Sequence, residues 1–202
     1  MNAVEINSSF HRPHMPKTYE RWRAVVGPDF RFSVKLPKTI THELRLKGCK
    51  DLISRFFDES AGLGRSLKVV LVQLPPSLVY EARTASRFFR ALRNYTSATI
   101  ACEPRHVTWF TPEADLALST LQIARVAADP PRAAGGFIPG GWQGLRYWRL
   151  HGSPKLYYSA YPQDQLEGLA AAMQEGDWCI FDNTMSGAAL GNALELKRLT
   201  SL

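Results

Sequence analysis

LRYWRLHGSP, residues 145–154, starts as a hydrophobic strand and ends in polar residues before Gly152-Ser153-Pro154 breaks the chain. Tyr147, Trp148 and Leu150 are sheet-filling types. Arg149 and His151 stand two apart, so a strand aims both to the same side. Six other runs share this form: VEINSSF (4–10), FRFSVKLP (30–37), KVVLVQLP (68–75), TIACEPRH (99–106), IARVAAD (123–129) and WCIFDNT (178–184). Their late residues include Glu5, Asn7 and Ser8, then Lys35, Gln73, Glu103, Arg105, His106, Asp129, Asp182 and Asn183. Between most runs lie stretches with apolar residues at spacings of three and four, such as KDLISRFFDES, TASRFFRALRNY and GAALGNALELKRL. Strand then helix, repeated, is the pattern of parallel βα units. Polar groups at successive strand ends meet on one face of a (β/α) barrel, whereas a doubly wound sheet gathers fewer of them. The expected fold is an α/β, TIM-type (β/α) barrel with seven parallel strands visible.

The chain has 202 residues, enough for one well-buried domain, and a single domain over 1–202 is expected. No apolar run approaches the roughly 18 residues of a membrane span, and the N-terminus carries no secretory pattern. Cys49, Cys102 and Cys179 are odd in number and far apart, so they outline neither a zinc knuckle nor a disulfide framework. A reducing cytoplasm fits them best. Charge is uneven. Residues 1–100 hold 17 Lys/Arg and 8 Asp/Glu, a balance of +9, and the second half is at −2. Such a basic half points to an anionic partner, either a small molecule or a nucleic acid, or to a plainly solvated surface. The stretch DPPRAAGGFIPGGWQG (129–144) lacks periodicity and reads as a mobile loop or a surface connection.

The ordered set VEINSSFHR, FRFSVKLPKTITH, VLVQLPPS, ACEPRHVTWF, YWRLHGSP, YSAY and FDNTMSGAALGNAL resembles the YecE-like family across nearly the whole chain. The resemblance implies a TIM-barrel-type fold and no settled reaction. Family members usually open with a Gly-rich G-T-S-G-W strand and a helix, which do not precede VEINSSF here. The first βα unit is therefore expected to be missing. That would leave 4–10 and 178–184 as unpaired edges, open to self-association through the gap.

Glu103, His151 and Glu5 are the candidate catalytic residues, with protons handled by Glu103 or His151. Lys35, Arg105, His106, Arg149, Asp182 and Asn183 are the candidate substrate-binding residues, with the cations neutralising charge. A buried Glu103–Arg105 ion pair that only orders the site is the structural alternative. Gly152, and the helix start after Asp182, offer backbone N–H groups to an anion. Glu5, Glu103, His106, His151 and Asp182 are ligand types, but no H-x-H, H-E-x-x-H or D-x-D pattern supports a metal site, so none is assigned, and the sequence leaves any cofactor open. Two functions stay open. One is a hydrolytic enzyme acting on a phosphorylated or other anionic substrate at the C-terminal mouth of the barrel. The other is a non-catalytic nucleic-acid-binding protein using the basic loop 35–50 and the aromatics Phe10, Trp109, Tyr157, Tyr158 and Tyr161.

Overall fold

The computed structural model describes residues 1–200. Nine strands and six α-helices are described: β1 (Ala3–Ile6), α1 (Pro16–Ala24), β2 (Arg31–Lys35), α2 (Lys50–Ser60), β3 (Leu67–Gln73), α3 (Ala82–Arg93), β4 (Thr99–Glu103), α4 (Pro112–Thr120), β5 (Ile123–Arg125), β6 (Ala127–Asp129), β7 (Gly140–Gly141), β8 (Tyr147–Leu150), α5 (Gln163–Ala172), β9 (Trp178–Phe181) and α6 (Ala188–Thr200). The architecture is α/β with mostly parallel sheets. β1, β2, β3, β4 and β5 pair in chain order, all parallel, and β6, β8 and β9 form a second parallel sheet. β5 and β6 are one run interrupted at Val126, whose N–H still reaches Cys102 O at 2.8 Å. This run therefore carries the chain from the first sheet into the second.

The expected barrel is not closed by hydrogen bonds. β1 and β9 are sheet edges, and among the described residues no ladder joins them. The long loop 129–144 also differs from a bare connection. Its Gly140–Gly141 segment pairs antiparallel with β5, and the Asp115 carboxylate takes both Gly141 N–H (2.9 Å) and Arg125 Nε (2.8 Å). The close approach requires glycine: Gly141 has φ +63°, and a Cβ there would meet Ile123 O at 2.5 Å.

Alternation sorts the strand residues. Val70, Val72, Ile100 and Cys102 face the helices and join a core with Phe56, Phe88, Phe89 and Leu92. α3 shows the cause, since Ala85, Phe88, Phe89 and Leu92 follow the helical repeat and are buried, while Arg83, Arg87 and Arg90 face water. Burial of each such large side chain contributes about 2 kcal/mol. The opposite strand faces carry a smaller cluster of Val69, Leu71, Ala101, Ala124, Val126, Leu145 and Tyr147, drawn from both sheets. The next residues on that face, toward the strand ends, are Gln73, Glu103, Arg149 and Lys35. The fold thus grades from apolar to charged along one face.

Candidate functional site

Arg149, at the end of β8, is fully buried yet saturated with carboxylates. Its Nη2 donates to Glu5 Oε1 at 2.7 Å and Asp182 Oδ2 at 3.1 Å, its Nη1 to Glu103 Oε2 at 2.6 Å, and its Nε to both Glu5 oxygens at 3.1 Å. These acids come from β1, β4 and the residue after β9. Burial by itself would lower the Arg149 pKa. Glu5, Glu103 and Asp182 more than offset it and hold the guanidinium well above its usual range.

Glu103 is the hub. Burial pushes its pKa up, but Arg149, His151 and Arg105 outweigh burial and keep it ionised, well below the usual carboxylate range. Arg105 Nη2 donates to Glu103 Oε1 at 2.8 Å and Gln73 Nε2 to Oε2 at 2.8 Å. His151 lies between two acids, with Nε2 3.0 Å from Glu103 Oε1 and Nδ1 3.0 Å from Asp182 Oδ2. Nε2 is also 3.1 Å from Arg105 Nη2. With Nδ1–H donated to Asp182, Nε2 accepts from the guanidinium when it carries no proton and donates to the Glu103 carboxylate when it carries one. Tyr147 Oη donates to Glu5 at 2.7 Å and lies 3.0 Å from Ser33 Oγ. Burial, then the Glu5 charge, keeps that phenol protonated.

Glu5, Glu103, Arg105, Arg149, His151 and Asp182 are thus in one network. Lys35 borders it, its amine 4.1 Å from the Phe10 ring centre. Burial, and then Arg149, lower its pKa to about 8 against the pull of Glu103, Glu5 and Asp182. Two candidates lie outside. His106 caps the turn that follows, with Nδ1 2.9 Å from Thr108 Oγ1 and accepting Thr108 N–H. Asn183 is buried and donates to Ser159 O (2.9 Å) and Asn192 Oδ1 (3.0 Å), tying the 152–161 loop to α6. Gln73, Tyr147 and Ser33 join the network without having been assigned to it. Gln73 was visible as a polar strand end. Tyr147 reads as sheet filling, and only its two-residue spacing from Arg149 points to the site.

The arrangement limits anion capture by Arg149, because protein acids occupy its donors. Gly152 N–H is also taken, by Tyr161 Oη at 2.8 Å, which in turn donates to Asp129 at 2.7 Å. The same competition applies to metal chemistry: three carboxylates converge on a guanidinium, and among the described residues no His/Cys/Asp/Glu group is arranged to hold an ion. In the basic loop, Arg45 binds Ser77, and Lys47 and Lys38 pair with Glu81 and Glu43. Of the aromatics, Trp109 and Tyr161 are buried, Phe10 underlies Lys35, and Tyr157 stands nearly perpendicular to His151 with ring centres 6.0 Å apart. The cysteines are free, with Cys49 and Cys102 buried, and burial raises all three thiol pKa values. No described helix is long and apolar enough to cross a membrane.

Two comparisons fix the fold. The structure superimposes over its full length on DUF72 family proteins from Enterococcus faecalis (TM-score 0.83, 20% identity, 90% of that chain) and Thermotoga maritima (TM-score 0.81, 24% identity, 85% of that chain). In sequence, 74 residues are 35% identical to the UPF0759 protein YecE of Escherichia coli K12, covering 37% of this chain and 27% of that relative's length. The family model described as "Protein of unknown function DUF72" matches residues 1–202, and so the chain belongs to the DUF72, YecE-like family.

Proposed function

We propose that the seven parallel strands surround the ion cluster as an open (β/α) barrel, and that its mouth carries out acid–base chemistry on a small anionic molecule. Hydrolysis of a phosphorylated or carboxylated substrate is the reaction class that fits. Support for the barrel comes from Tyr147 and Arg149 on β8, which meet Glu5 on β1 and Ser33 on β2 where no backbone ladder runs.

The observation that carries the chemistry is His151 Nε2, placed 3.0 Å from an acceptor and 3.1 Å from a donor. A ring so placed has a partner at Nε2 with or without the proton, Glu103 in the first case and Arg105 in the second, while Nδ1–H stays on Asp182. Glu103 and Asp182 orient it and stay ionised. Arg105 is partly exposed, with Nη2 held by Glu103, which leaves its remaining N–H groups for an anion. Lys35 supplies an amine beside the same carboxylates. Nucleic-acid binding by loop 35–50 has weaker support, since Arg45, Lys38 and Lys47 already have protein partners.

The test is turnover of 4-nitrophenyl phosphate and a panel of phosphorylated sugars and carboxylate esters. His151→Asn should lower the rate on the order of 10²–10⁴-fold, the usual contribution of a positioned proton-transfer group. The exposed Arg198→Gln should not change it. No turnover by the wild type, or equal rates for wild type and His151→Asn, would remove this reading.

A further inference from the structure

Lys35 differs from the other cations of the site. It ends β2, is only 8% exposed, and its backbone is fixed by Ser9 Oγ, which donates to Lys35 O at 2.7 Å. The acids around it are engaged elsewhere: Glu5 by Arg149 and Tyr147, Glu103 by Arg149, Arg105 and Gln73, and Asp182 by Arg149 and His151. Among the described residues, none forms an ion pair with the Lys35 amine. Its recorded neighbour is the face of Phe10 at 4.1 Å. A ring face compensates an ammonium less than a direct carboxylate partner does in a buried site.

We propose that Lys35 is a carbonyl-capturing amine, forming an imine with a small aldehyde or ketone that carries a carboxylate or phosphate held by Arg105. This goes beyond the acid–base reading and does not depend on it. In the step, the neutral Nζ adds its lone pair to the carbonyl carbon, and the C=O π pair moves to oxygen, which takes the first of the two amine protons. The oxygen then leaves as water with the two hydrogens of the amine, and the nitrogen lone pair closes the C=N bond. Nothing is oxidised or reduced. The step needs an unprotonated amine, and burial with Arg149 nearby provides one by bringing the Lys35 pKa to about 8. Desolvated lysines beside other cations are nucleophilic for this reason.

The experiment is reductive trapping on the full chain. Glyoxylate, an aldehyde bearing a carboxylate, is added with cyanoborohydride at about pH 7.5, and labelling of each lysine is followed by peptide mass mapping. Lys35 should be labelled on the order of tenfold faster than the exposed Lys17 and Lys50, because more of it is neutral. Inorganic phosphate should slow only that fast phase, and Lys35→Met should remove it. Equal rates at Lys35, Lys17 and Lys50 in the wild type overturn the proposal and leave the acid–base reading standing. A fast phase that survives in Lys35→Met also overturns it. Should circular dichroism show that this variant is unfolded, the site-resolved wild-type rates decide alone. Acetaldehyde, which lacks the carboxylate, trapped as fast as glyoxylate would overturn the anionic part.

Discussion

Glu103 carries three roles in one carboxylate: it neutralises Arg149, orients His151 and anchors Arg105. Removing one partner of a buried ion pair leaves the other uncompensated, at a cost of about 3–5 kcal/mol. Glu103→Gln should therefore lower stability by about 3 kcal/mol at neutral pH, measured by urea unfolding. The pH dependence follows from the direction of the shift. The folded pKa lies below the ordinary 4.5, so the contribution is fully present above that value and disappears as pH falls through the depressed one. The gap between wild type and Glu103→Gln should shrink only in that acid range. Lys35 gives a slope of the same sign in the alkaline range. Its folded pKa of about 8 lies below the usual 10.5, so the unfolded chain binds more protons between those values. Wild-type stability should gain from this group as pH rises from 8 toward 10, and Lys35→Met should flatten the rise; unfolding midpoints against pH check it.

Among the elements, the 152–161 loop decides how the site is covered. Gly152 has φ +93°, and a Cβ there would meet Lys155 O at 3.1 Å and Tyr157 N at 3.2 Å. Tyr157 itself has φ +67°, an uncommon value for a bulky residue, and its ring edge faces His151. Gly152→Ala should cost about 1–3 kcal/mol and loosen Tyr157 over the histidine. A lower melting temperature, with faster amide exchange confined to 152–161, would show this, and unchanged exchange there would contradict it. The loop is otherwise tied by Asp129–Tyr161–Gly152 and by Asn183 and Asn192. Asn183, expected to meet substrate, therefore works at this scale as a clamp between loop and helix.

For the whole molecule, the open question is the pair of edges, β1 and β9. Edge strands expose unpaired N–H and C=O groups that template association. Val4 on β1 is 41% exposed and apolar, and Ile180 on β9 is partly exposed. Self-association at this edge is a prediction: sedimentation velocity should show a species that grows with concentration. Val4→Lys, which places a charge on the edge, should suppress it with no loss of helix content. A monomer at all concentrations would show that side chains such as Tyr147 and Arg149, reaching across to β1, are enough to shield the edges.

How much of this was written in the chain can be judged from particular residues. Helices such as 50–60 and 112–120 were legible because burial on one face imposes a local repeat. The polar ends of the strands were legible as well, because alternation assigns Arg149 and His151 to one side wherever the strand packs. Family membership followed from ordered motifs. Which acid meets which base was not legible. Arg149 lies 144 residues from Glu5 and 46 from Glu103, and only tertiary packing brings those groups to 2.7 and 2.6 Å. His106 and His151 both read as strand-end site residues, the first for binding and the second for catalysis, yet one caps a turn and the other bridges two carboxylates. Local pattern fixed which side chains point inward. Packing over long sequence separations decided which charges were neutralised within the protein, and left the Lys35 amine with no ion pair among the described residues beside the carboxylates that hold Arg149 and Arg105.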